Sequence, residues 1–369
     1  MSDTLCTYRS VKKDLIQLFP RKPKGHLAQA VDTLAWTITG IILSHSCQLP
    51  DIANYMPGAQ RESEVKRLER YTRNERNDDR CSYPQFARRL LKVLAKRLPR
   101  LVLIIDGSVV GKGCRALVIS VLFGGRALPL AFLVETGSKG HFGEDDHLAL
   151  LDAVRAIVPA GIAVTFLGDG EFDGVDLLAR LESFGWEYVC RTAANALLTF
   201  EKEEPFPFEA ITPAKGEVMS AWARFTAARY GPVFAVAAWR PDCSEPIFLV
   251  SNLHDEEAVL QTYQKRGRIE TFFGDEKSRG FGLHESHIAD PKRLARLMTA
   301  ACLAYLWVIY LGVVAKRDGW QRVIHRRHRC DLSLFQLGLV LLLHLLNREL
   351  SLPSGFLPSG PNLLAVIGG

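Results

Sequence analysis

At 369 residues the chain is roughly two and a half times the usual single-domain size, so two domains, or one core carrying insertions, are expected. Apolar residues make up 48% and charged residues 23%, which excludes a largely disordered, collagenous or coiled-coil chain. The net charge of +6 only tilts the balance toward an anionic partner.

The distribution of charge says more than its total. Residues 61–100 hold 13 Lys and Arg against 6 Asp and Glu, and residues 290–330 hold 9 against 2, so each block carries +7 and the remainder is net acidic. Two basic blocks around an acidic middle suit a protein that grips a polyanion at both ends and does carboxylate chemistry between them. Two solvated basic helices would give the same counts. Eight scattered cysteines with no Cys-x-x-Cys pair imply free thiols in a reducing compartment. His325, His328 and Cys330 lie close together, but the arginines in and beside that run argue against zinc. The first fifteen residues lack the apolar stretch of a secretory signal.

Residues 26–58 alternate apolar and polar positions at helical spacing and break at Leu49-Pro50, a pattern common to a helix-turn-helix and a plain helical bundle. Residues 60–98 predict long basic helices. From residue 101 the period changes. LVLIID, ALVISVLFG and ALPLAFLVE are β-branched-rich runs split by glycine-containing turns, which predicts a three-stranded antiparallel meander. EDDHLALLDAVRAIV predicts a helix with an acidic first turn, IAVTFLGD a fourth strand, DGVDLLARLESFG a helix and WEYVCRT a fifth strand. Three antiparallel strands, then helix, strand, helix, strand, is the element order of the ribonuclease H-like α/β fold.

Residues 195–251 predict a β insertion, in which Trp222 and Trp239 read as core. From Asp255 through Lys277 one helix is expected. Residues 297–315 form an uncharged apolar run of membrane-spanning length. A helix at the centre of a large core has the same composition, and continuity with the basic amphipathic stretch PKRLARL favours the core. Residues 332–346 are similar but shorter, and the Pro/Gly/Ser-rich tail after Pro353 predicts poor order.

Asp106 closes the first strand as LIIDGS and Asp169 closes the fourth as FLGDGEF. At a strand end a charged side chain can reach a shared site, although an Asp there is also a common turn former or cap. In TYQKRGRIETFFGDEKSRG, Tyr263, Arg266, Glu270 and Lys277 are 3, 4 and 7 residues apart, which on a regular helix places them within about 60° of one another. Such a row lets one carboxylate join a metal site while its neighbours hold phosphates. A solvated Arg266–Glu270 pair would be the plain alternative, with Ile269, Phe272 and Phe273 marking the buried side. Glu144, Asp145 and Asp146 read as a helix N-terminus and Asp173 as a helix cap. Gly267 weakens the signature helix by about 1 kcal/mol relative to Ala.

On these residues the chain resembles bacterial insertion-sequence transposases of the DDE class, in the hairpin-forming group whose signature is Tyr-x2-Arg-x3-Glu-x6-Lys. The likeness covers roughly residues 99–316 and, more loosely, the helical N-terminus. Asp106 and Asp169 match the first two acids and Glu270 the third, while Gly267 departs from the bulky residue common at its position. Three converging carboxylates without Cys or His neighbours are hard donors suited to two Mg2+ or Mn2+ ions. The resemblance implies nicking, a hairpin on the transposon end, hairpin opening and insertion. It implies phosphate and flipped-base contacts from Tyr263 and Arg266, with Lys277 supporting the strand; a flipped base needs an aromatic pocket, for which Trp222 and Trp239 are the candidates beside their plainer reading as core. Its expected partners are double-stranded DNA at transposon ends and target, and a second copy in a homodimeric synaptic complex, with no membrane and a cytoplasmic, nucleoid-associated location. A nuclease of the same fold without strand transfer, and a non-catalytic DNA-binding derivative, are the rival readings. The expected division is a helical DNA-binding domain at 1–98, the first part of the core at 99–194, the β insertion at 195–251, the second part with the catalytic helix at 252–318, and a C-terminal helical region and tail at 319–369.

Overall fold

The computed structural model describes residues 2–81, 83–138, 142–201, 203–277, 279–326 and 329–356. Residues 357–369, most of the tail expected to be poorly ordered, lie outside the described residues.

Six helices come first: α1 (Asp3–Gln17), α2 (Gly25–Ser44), α3 (Leu49–Ala53), α4 (Arg61–Arg73), α5 (Arg76–Arg80) and α6 (Tyr83–Leu94). Ser2 caps α1 by accepting from the Leu5 N–H, α2 stops at His45 in the left-handed region (φ 54°), and a proline in its first turn starts α3. Asp32 on α2 pairs with Lys12 on α1 and, at 2.9 Å, with Arg67 on α4, while the Tyr8 and Trp36 rings stack at 3.7 Å. These contacts fix the three helices as one packed group.

The sheet begins with the meander β1 (Arg100–Gly111), β2 (Cys114–Phe123) and β3 (Arg126–Thr136), followed by α7 (Glu144–Arg155), β4 (Ala163–Gly168), α8 (Val175–Ser183) and β5 (Glu187–Arg191). β1, β2 and β3 pair antiparallel, whereas β4 joins β1 and β5 joins β4 in parallel, giving the order β3-β2-β1-β4-β5 of a ribonuclease H-like core. Then come β6 (Leu197–Thr199), β7 (Phe206–Pro207), β8 (Val218–Phe225), β9 (Tyr230–Ala238) and β10 (Ile247–Ser251). β10 pairs antiparallel with β5, so the inserted strands extend the same sheet to ten strands among the described residues.

The chain closes with α9 (Glu256–Tyr263), α10 (Ile269–Glu276), α11 (Pro291–Arg317), α12 (Gln321–Ile324) and α13 (Leu334–Asn347). α2 and α11 are long and apolar enough to cross a membrane, but the most apolar stretch of α11 is wholly buried inside the protein, against α2, α4, α13 and β3. Glycines let α11 and α13 touch backbone to backbone: a Cβ at Gly312 would lie 1.9 Å from the Leu334 carbonyl oxygen, and one at Gly338 2.0 Å from that of Val308.

Two local expectations are corrected. Asp173 does not cap α8; its carboxylate accepts from the Thr192 hydroxyl, and Glu144 on α7 reaches across to accept from the Asp176 and Leu177 N–H groups at 3.1 Å each. Trp222 is 45% exposed because the sheet face of β8 that carries it is only partly covered. His325 pairs with Asp331, Cys330 is a free thiol, and His328 lies outside the described residues.

Candidate active site

Parallel pairing between β1 and β4 runs only as far as Ile104 opposite Leu167. Asp106 follows two residues beyond that point, and Asp169 follows Gly168, the last residue of β4. Asp106 does not close its strand, as the sequence suggested, because β1 continues to Gly111 along β2. What ends there is the parallel ladder, and carboxyl ends of parallel strands are where open α/β sheets present their chemistry.

The signature segment is not one regular helix. α9 ends at Tyr263, Arg266–Arg268 form a 3-10 turn, α10 starts at Ile269, and Lys277 leaves it as the C-cap with φ −104° and ψ −122°. The break falls on Gly267, where lost helix propensity makes a tighter turn cheap. The four side chains therefore do not form the straight row expected from their spacing.

Three of them still converge with the strand-borne acids. The Arg266 guanidinium reaches Asp106 at 3.2 Å, contacts Asp169, and approaches Glu270 at 3.5 Å. Lys277 donates to the Ser108 hydroxyl and lies 5.5 Å from the centre of the Phe273 ring. Ser108 shares a strand face with Asp106, two residues on, and that spacing was the signal available for finding it. Tyr263 stands apart from the acids, lining a cavity of about 580 Å³ with Trp239, Arg266 and Gly267. Trp239 is thus a cavity wall and not simple core.

The electrostatics follow from burial. Asp106 is only 17% exposed, and desolvation pushes its carboxyl up to about 6; Arg266 opposes the shift, and the negative charges of Asp169 and Glu270 add to it. Burial draws the Lys277 amine down, partly countered by Asp106, and pushes the Tyr263 hydroxyl up to about 12. Both aspartates are oriented locally: Asp106 Oδ1 accepts from the Gly107 N–H at 2.9 Å and Asp169 Oδ1 from the Glu171 N–H at 3.1 Å.

Three carboxylates gathered on one guanidinium form a site that attracts positive charge, and the contacting donors are all hard oxygens. That chemistry fits a divalent ion of the Mg2+ type. Among the described residues no three His, Cys, Asp or Glu side chains stand close enough to share one ion, because the Arg266 side chain lies between these acids. A fourth acid, Glu171, sits at the edge of the group and went unnoticed in the sequence.

The family described as the transposase DDE domain matches residues 97–307, more than half of the chain. No curated protein matches it by sequence. Among solved structures, the cryo-EM structure of the piggyBac transposase synaptic complex with hairpin DNA is similar over 100% of this chain and 85% of that chain, with a TM-score of 0.46 and 13% identity.

Proposed function

The chain belongs to the DDE transposase domain family, whose members catalyse DNA cleavage and strand transfer with divalent metal ions, and from that premise we propose a bacterial insertion-sequence enzyme of the hairpin-forming group that moves its element by cutting and pasting. The observation that carries this reading is the single guanidinium of Arg266 touching Asp106, Asp169 and Glu270, three acids brought from two strand ends and a helix.

In the proposed mechanism Asp106, Asp169 and Glu270 hold the divalent ions, Mg2+ or Mn2+. When bound, such ions activate an attacking water or 3′-hydroxyl and stabilise the departing oxygen of an in-line displacement. Arg266 turns from the acids to a strand phosphate, for which its planar fork is suited. Lys277, seated by Ser108, holds the same strand beyond the acids. Tyr263 and Trp239 offer aromatic walls to an unstacked base near the hairpin, in a cavity large enough to hold one.

The N-terminal helices are proposed to recognise the terminal inverted repeats. Lys66, Arg70 and Arg73 share an exposed face of α4, and Arg88 and Lys92 are exposed together on α6, so binding to duplex DNA should fall steeply with salt. Synapsis of two ends calls for a homodimer, and a cytoplasmic, nucleoid-associated location without a membrane partner fits a protein whose longest apolar helix is buried.

The test is a duplex carrying the inverted repeat that flanks the gene, incubated with the protein and Mg2+. Hairpin and joined products on a denaturing gel are expected. Nicks alone would make the protein a nuclease without strand transfer, and binding without metal-dependent cleavage would make it a non-catalytic derivative.

A further inference from the structure

We infer that Glu171 is a positioning residue that sets the distance between Asp106 and Asp169 by clasping the strand segment that bears the first and the loop that bears the second. The inference rests on the metal role proposed for those aspartates.

Beyond Ile104 and Leu167 no backbone ladder ties β1 to β4, so something else must hold the two acids in register. The connection runs through Phe142. Its backbone N–H donates to Glu171 Oε1 at 2.5 Å, and the Glu171 N–H in turn donates to Asp169 Oδ1 at 3.1 Å. The Phe142 ring, 5% exposed, lies against Gly107, the residue after Asp106; a Cβ there would stand 3.2 Å from ring atom Cε2. The Arg115 guanidinium packs on the same ring, 4.2 Å from its centroid. A continuous chain of contacts thus leads from Asp169 through Glu171 and Phe142 to the backbone beside Asp106.

The back of this clasp is buried and polar. His147 is 3% exposed, its Nε2 has no hydrogen-bond partner among the described residues, and that nitrogen faces Glu171 Oε1 at 3.6 Å. Its ring packs on Phe172, with centroids 4.8 Å apart and Phe172 fully buried. A buried imidazole aimed at the carboxylate limits the directions Glu171 can take, so the side chain keeps one orientation. Residues that only orient the carboxylates around a metal typically alter its affinity by about 10–100-fold when removed.

The experiment is a Mn2+ titration of full-length protein followed by electron paramagnetic resonance, with the Mg2+ dependence of end-DNA nicking measured beside it. Glu171→Ala is expected to raise the Mn2+ needed for half occupancy by about tenfold, with end-DNA binding and melting temperature close to wild type. Glu171→Gln, which still accepts from the Phe142 N–H, should restore most of the affinity. An unchanged titration for Glu171→Ala would overturn the inference, and so would a Gln variant as weak as Ala, since the carboxylate would then be a metal ligand itself. Should Ala at 171 unfold the protein, Phe142→Leu, which keeps the backbone bond but loses the ring contact at Gly107, must give the same shift, and wild-type affinity would reject the clasp. Asp169→Asn serves as the separate control: wild-type Mn2+ binding by that variant would remove the metal role of the aspartates, whatever Glu171 does.

Discussion

The two aspartates and the signature segment reach the same site by different means. Asp106 and Asp169 leave adjacent parallel strands, and their exposures of 17% and 31% reflect walls built by the sheet. Glu270 stands in the first turn of a short helix after a 3-10 break, 69% exposed, and meets the Arg266 guanidinium at 3.5 Å. The comparison teaches that two acids stand just past the end of a shared parallel ladder, within a buried frame, while the third projects from a short helix into a more open position.

The largest effect tests whether the three acids act as a set despite that difference. Ala at Asp106, Asp169 or Glu270 should lower Mg2+-dependent cleavage of end DNA by on the order of 10³-fold, with gel-shift affinity largely kept. Cleavage by Glu270→Ala within about tenfold of wild type would assign the third position to another acid.

Next in size is the removal of the guanidinium. Charge-assisted hydrogen bonds of its kind contribute about 1.5–3 kcal/mol each, so Arg266→Ala should increase Mn2+ affinity of the DNA-free protein about tenfold or more by freeing the acids. The same variant, and Lys277→Ala, should spare the first nick more than hairpin formation. Paramagnetic titration and denaturing gels read the two arms. Unchanged Mn2+ affinity, or equal loss of nick and hairpin, would separate Arg266 from the roles proposed here.

The buried carboxyl gives a pH signature. Its folded-state value of about 6 lies above the ordinary 3.8, so ionisation costs stability above that range, and the cost vanishes once both states are protonated. In chelator, Asp106→Asn should therefore be more stable than wild type at pH 8, by about 3 kcal/mol at most, and the gain should disappear as the pH falls below 4. A gain that persists at pH 4 would have another origin. The smallest effect concerns the break itself. Nothing lies within 4 Å of a Cβ at Gly267, so Gly267→Ala should stabilise by about 0.5–1 kcal/mol. Higher stability with a lower hairpin yield would show that the turn serves the reaction.

The contrast also explains what could be read from the sequence. β1 to β5 were legible because their apolar period changes sharply and their turns contain glycine. Asp106, Asp169 and Glu270 were expected to meet at divalent ions, whereas the group they share is the Arg266 guanidinium, and the signature residues do not lie on the one straight helix face expected of them. Helical arithmetic assumes 100° per residue throughout, and it fails across a 3-10 turn. The cap on α8 was misplaced because Glu144 acts from another helix, 32 residues away. The pairing of β10 with β5 and the Phe142–Glu171 contact are long-range features that no local period encodes. The apolar run at 297–315 was ambiguous for a plainer reason: a helix surrounded by protein and one surrounded by lipid need the same side chains, and only its neighbours distinguish them.

Those neighbours bear on how such an enzyme can change its target over time. Trp307 on α11 donates to buried Asp14 on α1 at 3.1 Å, and Arg296 on α11 grips Asp78 and the Thr72 carbonyl at 2.7–2.8 Å. The same helix backs β3 and α13. The first 98 residues thus share their interior with the rest of the chain, and a chimera joined there would have to rebuild that interface before it could fold. A swap of the first 98 residues as a unit would leave Trp307 and Arg296 on α11 without their partners Asp14, Asp78 and the Thr72 carbonyl. On the recognition role proposed for α4 and α6, new specificity accumulates by single substitutions on their outer faces, over a constant inner surface.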